Sequence, residues 1–123
     1  MTRVLVCGSR DFTDYHLIDE ALEGLHRSKS VSVLIEGGAL GADRFARYWA
    51  AAHDIPIETY NAAWVQRGQS AGPQRNARML REGKPDLVLA FINKPIEQSR
   101  GTFNMVLQAR RSGVPVSIIE DHA

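Results

Sequence analysis

Five short apolar runs, alternating with segments of helical periodicity, constrain this chain more than any other feature. Residues 4–7 (Val-Leu-Val-Cys) and 86–91 (Asp-Leu-Val-Leu-Ala-Phe) contain continuous apolar stretches, as expected of strands covered on both faces. Runs at 31–35, 56–60 and 114–119 complete the set. The segments between them predict helices over about 14–28, 42–53, 72–83 and 101–111. In the first, Leu17, Ile18, Ala21, Leu22 and Leu25 share one face, with Thr13 or Asp14 as N-cap. In the second, Phe45, Ala46 and Trp49 turn inward. Pro73 is tolerated in the first turn of the third helix, and Gly113 is placed to end the fourth. Residues 61–70 and 93–99 read as loops.

Strands alternating with helices at this spacing imply βαβ units and a parallel sheet. Right-handed crossovers leave few arrangements. The reading is an α/β fold over residues 1–123 as one domain: a doubly wound, five-stranded parallel sheet in the order 3-2-1-4-5, with helices on both faces. The strand order reverses between the first and fourth strands. Ligands bind at such a point, beyond the carboxyl ends of the strands.

Composition narrows the function classes. Fifteen Lys and Arg against fourteen Asp and Glu leave a net charge of +1, which argues against nucleic acid or an anionic membrane as a bulk partner. One cysteine, Cys7, excludes an internal disulfide and reads as a buried structural thiol. No His/Cys cluster has metal spacing, so neither metal nor cofactor is implied. The N-terminus lacks the apolar stretch of a signal peptide and no run approaches membrane-spanning length, so a cytoplasmic location is expected.

Three glycine-centred turns then stand out: Gly8-Ser9-Arg10, Glu36-Gly37-Gly38-Ala39-Leu40-Gly41-Ala42-Asp43, and Ser99-Arg100-Gly101-Thr102. Each leads from a strand toward a helix, so the predicted order gathers all three at one sheet edge, where helix N-termini favour anions. Glycines allow close backbone approach. Ser9, Arg10, Arg100 and Thr102 add donors for a phosphate, and Thr102 also suits an N-cap. The second turn lacks both the G-x-G-x-x-G fingerprint and the Lys-Ser/Thr of a P-loop. Glu36 and Asp43 can accept from a ribose hydroxyl, and Asp43 can equally cap its helix. Arg75 and Arg78 lie one turn apart on the third helix, either toward a ligand or as a solvated face, and Asn76 can bond a base or sugar edge. Trp64 either stacks on a bound base or packs on the sheet edge. The four scattered histidines show no carboxylate or serine partner and receive no catalytic role.

Together, Val6-Cys7-Gly8-Ser9-Arg10-Asp11-Phe12, the Glu36–Asp43 stretch, Gly72-Pro73-Gln74-Arg75-Asn76 and Arg100-Gly101-Thr102 resemble the SLOG superfamily, in its small YspA-related branch. The resemblance implies a Rossmann-like fold that binds nucleotides or nucleotide derivatives such as a nucleoside monophosphate, ADP-ribose or an NAD-related molecule. A homodimer is in keeping with it. The implied ligand-binding residues are Gly8, Ser9, Arg10, Gly37, Gly38, Gly41, Asp43, Arg75, Asn76, Arg100, Gly101 and Thr102.

Two other activities follow from more distant resemblance. Lonely-guy enzymes hydrolyse the N-glycosidic bond of nucleoside monophosphates and carry P-G-G-x-G-T-x-x-E. Arg75 and Gly101-Thr102 look like their arginine and G-T, but Asn104 and Met105 stand where the carboxylate falls. Hydrolase or transferase chemistry would then require Glu36 or Asp43 as the catalytic acid or base. The relative DprA binds single-stranded DNA, a role that the balanced charge argues against.

Overall fold

The computed structural model describes residues 1–63 and 68–121. The described residues form five strands and four α-helices. The strands are β1 (Thr2–Gly8), β2 (Val31–Glu36), β3 (Ile57–Thr59), β4 (Leu87–Ile92) and β5 (Val116–Glu120). The helices are α1 (Tyr15–Lys29), α2 (Ala42–Ala52), α3 (Ala71–Gly83) and α4 (Arg100–Arg111). Two 3-10 turns, Gly68–Ser70 and Ile96–Gln98, lie within the segments read as loops. Trp64 lies outside the described residues.

All neighbouring strands are parallel, and their order is β3-β2-β1-β4-β5, as the sequence predicts. The physical basis is visible in β1. Val4 and Val6 pack with Phe12, Ile18, Leu22, Ala46 and Trp49 on the side of α1 and α2. Leu5, with the half-buried Cys7, packs with Ile35, Met79, Val88, Met105 and Ala109 on the side of α3 and α4. Alternate residues of one strand thus serve two cores, which is why the central runs are apolar throughout. Each fully buried Leu or Val contributes roughly 1.5–3 kcal/mol.

This winding places the carboxyl ends of β1, β2 and β4 side by side, with Gly8 in register with Phe91 and Leu5 with Ile35. Helix α1 is closed by Asp14, whose Oδ1 accepts from the Leu17 N–H at 3.2 Å. At the far end of α4, Gly113 adopts φ +77°, the left-handed conformation that favours glycine after a helix. No helix among the described residues is long and apolar enough to cross a membrane.

Candidate functional site

A cleft of about 1120 Å³ opens over the carboxyl ends of β1 and β2, and residues from all three glycine turns line it. Of the expected ligand-binding residues, Gly8, Ser9, Arg10, Gly37, Gly38, Asp43, Arg75, Asn76, Arg100, Gly101 and Thr102 are on its walls. Glu36 and Gly41 are not among the lining residues. A second hollow of about 390 Å³, by the ends of β4 and β5, contains none of the candidates.

The turns are fastened to one another. Ser9 Oγ and Ser99 Oγ, both buried, lie 2.9 Å apart and join the first turn to the third. Their mutual bond uses one hydroxyl hydrogen and leaves the other available. Gly41, at φ +75°, joins the first turn to the second. A Cβ there would meet the Arg10 carbonyl oxygen at 2.6 Å and the Ser9 carbonyl oxygen more closely still. Helix α3 is the strut between the second and third turns. Arg75 Nη1 donates to the Gly37 carbonyl at 2.7 Å, and its Nε donates to Asn76 Oδ1 at 2.8 Å. Asn76 Nδ2 in turn donates to the Gly101 carbonyl and to Asn104 Oδ1, both at 3.1 Å. Asn104 Oδ1 also accepts from Gln108 Nε2 at 2.7 Å.

The second turn departs from the phosphate cradle that its glycines suggest. Its backbone donors are turned onto its own carboxylates. Gly37 and Ala39 donate to Asp43 Oδ2 at 3.0 and 3.3 Å, and Gly38 donates to Glu36 Oε1 at 2.7 Å. Glu36 is wholly buried, and Thr59 Oγ1 donates to its other oxygen. Glu36 therefore shapes the loop and presents no surface to the cleft. Asp43 is not a cap either: Gly41 occupies the N-cap position of α2. A Cβ on Gly37 would strike the Arg75 guanidinium, its Cζ at 2.8 Å. These small residues make room for the protein itself.

The third turn is different. Ser99 holds the N-cap position of α4 without a side-chain cap bond, because its hydroxyl is committed to Ser9. Thr102 sits inside the first turn of α4 and is not the cap. Phe103 N–H reaches the Ser99 carbonyl at 2.8 Å, so the N–H groups of residues 100–102 are the orphan donors of this helix. A Cβ on Gly101 meets no atom within 4 Å. Arg100 is exposed on the cleft wall and makes no ion pair with any described residue.

These two turns both carry glycine but in opposite settings, and the sequence around the first two settles the lineage. A family model described as the YspA, cpYpsA-related SLOG family matches residues 2–66. The chain belongs to that family. Its relatives include the Gene 61 protein of Mycobacterium phage D29, which is 38% identical over 122 residues, covering 94% of each chain. The SLOG-family match spans β1 to the end of β3 and so includes the first two turns, while the third turn lies beyond it.

Electrostatics at the base of the cleft are dominated by burial. Asp43 has its pKa pushed up to about 7, first by burial and then by Glu36, against the pull of Arg75 and the two loop N–H groups. Burial, and then Asp43, push the Cys7 thiol well above its ordinary range, so the cleft-lining cysteine stays protonated.

Sequence reasoning missed three working parts. Asn104, noted only as a missing acid, anchors the α3–α4 network. Ser99 is a hydroxyl tie whose partner lies 90 positions away, visible only once β1 and β4 are known to be neighbours. His53, which showed no partner in the sequence, contacts Glu23 and stacks on Trp49 with ring centroids 4.4 Å apart, outside the cleft.

Proposed function

We propose that the cleft binds a nucleotide or nucleotide derivative by its phosphate, with the phosphate on the first turn of α4. One observation carries this reading. Helix α1, which starts away from the cleft, is capped by its own side chain, whereas α2, α3 and α4 all begin at the cleft without a side-chain cap. Uncapped N-termini converging on one cavity supply partial positive charge and, at α4, three open N–H groups. Arg100 and Arg10 add full charges, and the Thr102 and Ser9/Ser99 hydroxyls add neutral donors. Asp43 lines the same cleft beside the bound ligand. Membership of a SLOG family supports a nucleotide-related role.

Calorimetric titration with AMP, ADP-ribose and NAD tests the reading. At least one should bind, and Arg100→Ala should weaken it about tenfold or more, the worth of a charge-assisted hydrogen bond. The melting temperature should not change, since the guanidinium makes no ion pair with the described residues. Absence of heat with all three would refute the proposal.

Glycosidic cleavage is the second reading, and Asp43 is what favours it. A cleft-lining acid whose pKa is raised to about 7 suits general acid–base work. Free base released from a bound nucleotide, and lost in Asp43→Asn, would establish this reading over simple binding.

A further inference from the structure

Two carboxyl groups, Glu36 and Asp43, are buried at the base of the cleft around one cation, Arg75. Both oxygens of Glu36 are engaged by Gly38 N–H and Thr59 hydroxyl. Arg75 is held by the Gly37 carbonyl and Asn76 Oδ1 and cannot follow an incoming ligand without breaking those bonds. Asp43 is the adjustable member. Its Oδ2 accepts from two loop N–H groups, which leaves Oδ1 as the other oxygen of a residue that lines the cleft.

The groups facing Asp43 define how it must respond. Cys7 on β1 is a neutral thiol, Glu36 on β2 is a second acid, and Arg75 on α3 is the compensating cation. Arg10 after β1 adds like charge that acts on Arg75, and Arg10 and Arg100 share the cleft. Two acids against one fixed cation already leave Asp43 close to neutralisation. A phosphate entering the same low-dielectric space adds negative charge, and like charge favours the protonated acid.

We propose that binding of an anionic ligand loads a proton onto Asp43, so that Oδ1 changes from an acceptor that repels the anion into a donor that holds it. This inference rests on the anion-binding reading above. It makes the affinity of the cleft a function of pH in the neutral range, and it casts Asp43 as a ligand contact whose protonation state the ligand itself sets.

ADP-ribose is the suitable probe, because its pyrophosphate does not titrate near neutrality and any proton taken up belongs to the protein. Titrations at pH 7 in buffers of different ionisation enthalpy should give an observed enthalpy that depends on the buffer, with uptake of about half a proton. Affinity should fall between pH 7.5 and 8.5, approaching tenfold per pH unit. Asp43→Asn, a permanently neutral replacement, should abolish the uptake and bind more tightly than the wild type at pH 8.5. Binding by the wild type with a buffer-independent enthalpy overturns this inference and leaves the nucleotide reading standing. The same uptake in Asp43→Asn overturns it as well, by assigning the proton elsewhere. No binding of ADP-ribose, AMP or NAD from pH 6 to 8.5 overturns both. If the variant does not fold, the buffer series on the wild type decides alone.

Discussion

The two walls of the cleft both carry glycine at the start of a helix and differ in how their polar groups are spent. In the β2–α2 wall, three successive N–H groups are bound by Glu36 and Asp43, and the missing side chains are missing because Arg75, Ser9 and Arg10 occupy the space. In the α4 wall, the helix begins without a side-chain cap, Gly101 faces open space and Arg100 has no ion-pair partner among the described residues. The difference teaches that a small-residue turn at a sheet edge can be scaffold or receptor. What separates them is whether its donors are already satisfied. The first wall fixes the geometry, and the second is left for a ligand.

Glycine substitutions break this comparison most sharply. Gly41→Ala should cost roughly 2 kcal/mol or more, because φ is positive there and the new Cβ would press on two backbone carbonyls. Thermal unfolding would show it as a large loss, or as failure to fold. Gly101→Ala should have the opposite sign and a smaller size, stabilising by up to about 1 kcal/mol as a better helix former, while reducing ligand affinity on the open wall. Equal losses at both positions would erase the distinction between the walls.

The smallest expected effect lies outside both walls, where α2 ends. His53 Nδ1 lies 2.8 Å from the Trp49 carbonyl oxygen and its Nε2 contacts Glu23. Both partners accept, so the doubly protonated ring satisfies both. The Trp49 carbonyl first, and then Glu23, raise the His53 pKa. The stability from this contact is therefore full below the ordinary histidine value and is lost as the pH rises through the raised one. NMR titration of the imidazole should show the elevation, and Glu23→Gln should reduce it. Because the contact anchors the far end of the helix that carries the scaffold wall, its loss should leave ligand affinity unchanged.

The fold was legible because its signals are local. Continuous apolar runs mark strands buried on both faces, and the ends of the predicted elements differ from the observed ones by one or two residues. Asp14 and Gly113 could be read as helix ends from chemistry alone. The gathering of three turns at one edge followed from strand order. What stayed illegible was the destination of each donor. Gly37 and Gly38 read as ligand-facing because glycine exposes N–H groups, and only coordinates reveal that Asp43 folds back six residues to claim one of them. Asn76 read as able to bond a base or sugar edge, and its bonds to Gly101 and Asn104 show that it also braces two helices. Polar side chains near a site can serve the ligand or the frame, and spacing does not discriminate between the two.

The central claim is that the ligand anion sits on α4 and not on the β2–α2 loop. Amide chemical-shift mapping during titration with ADP-ribose or AMP tests it most directly. The account predicts the largest shifts at the N–H groups of Arg100, Gly101 and Thr102, with Gly38 moving little because its hydrogen bond to Glu36 persists, and Gly37 reporting only the change of charge on Asp43. The largest shifts at Gly37 and Gly38, with residues 100–102 unmoved, would contradict it.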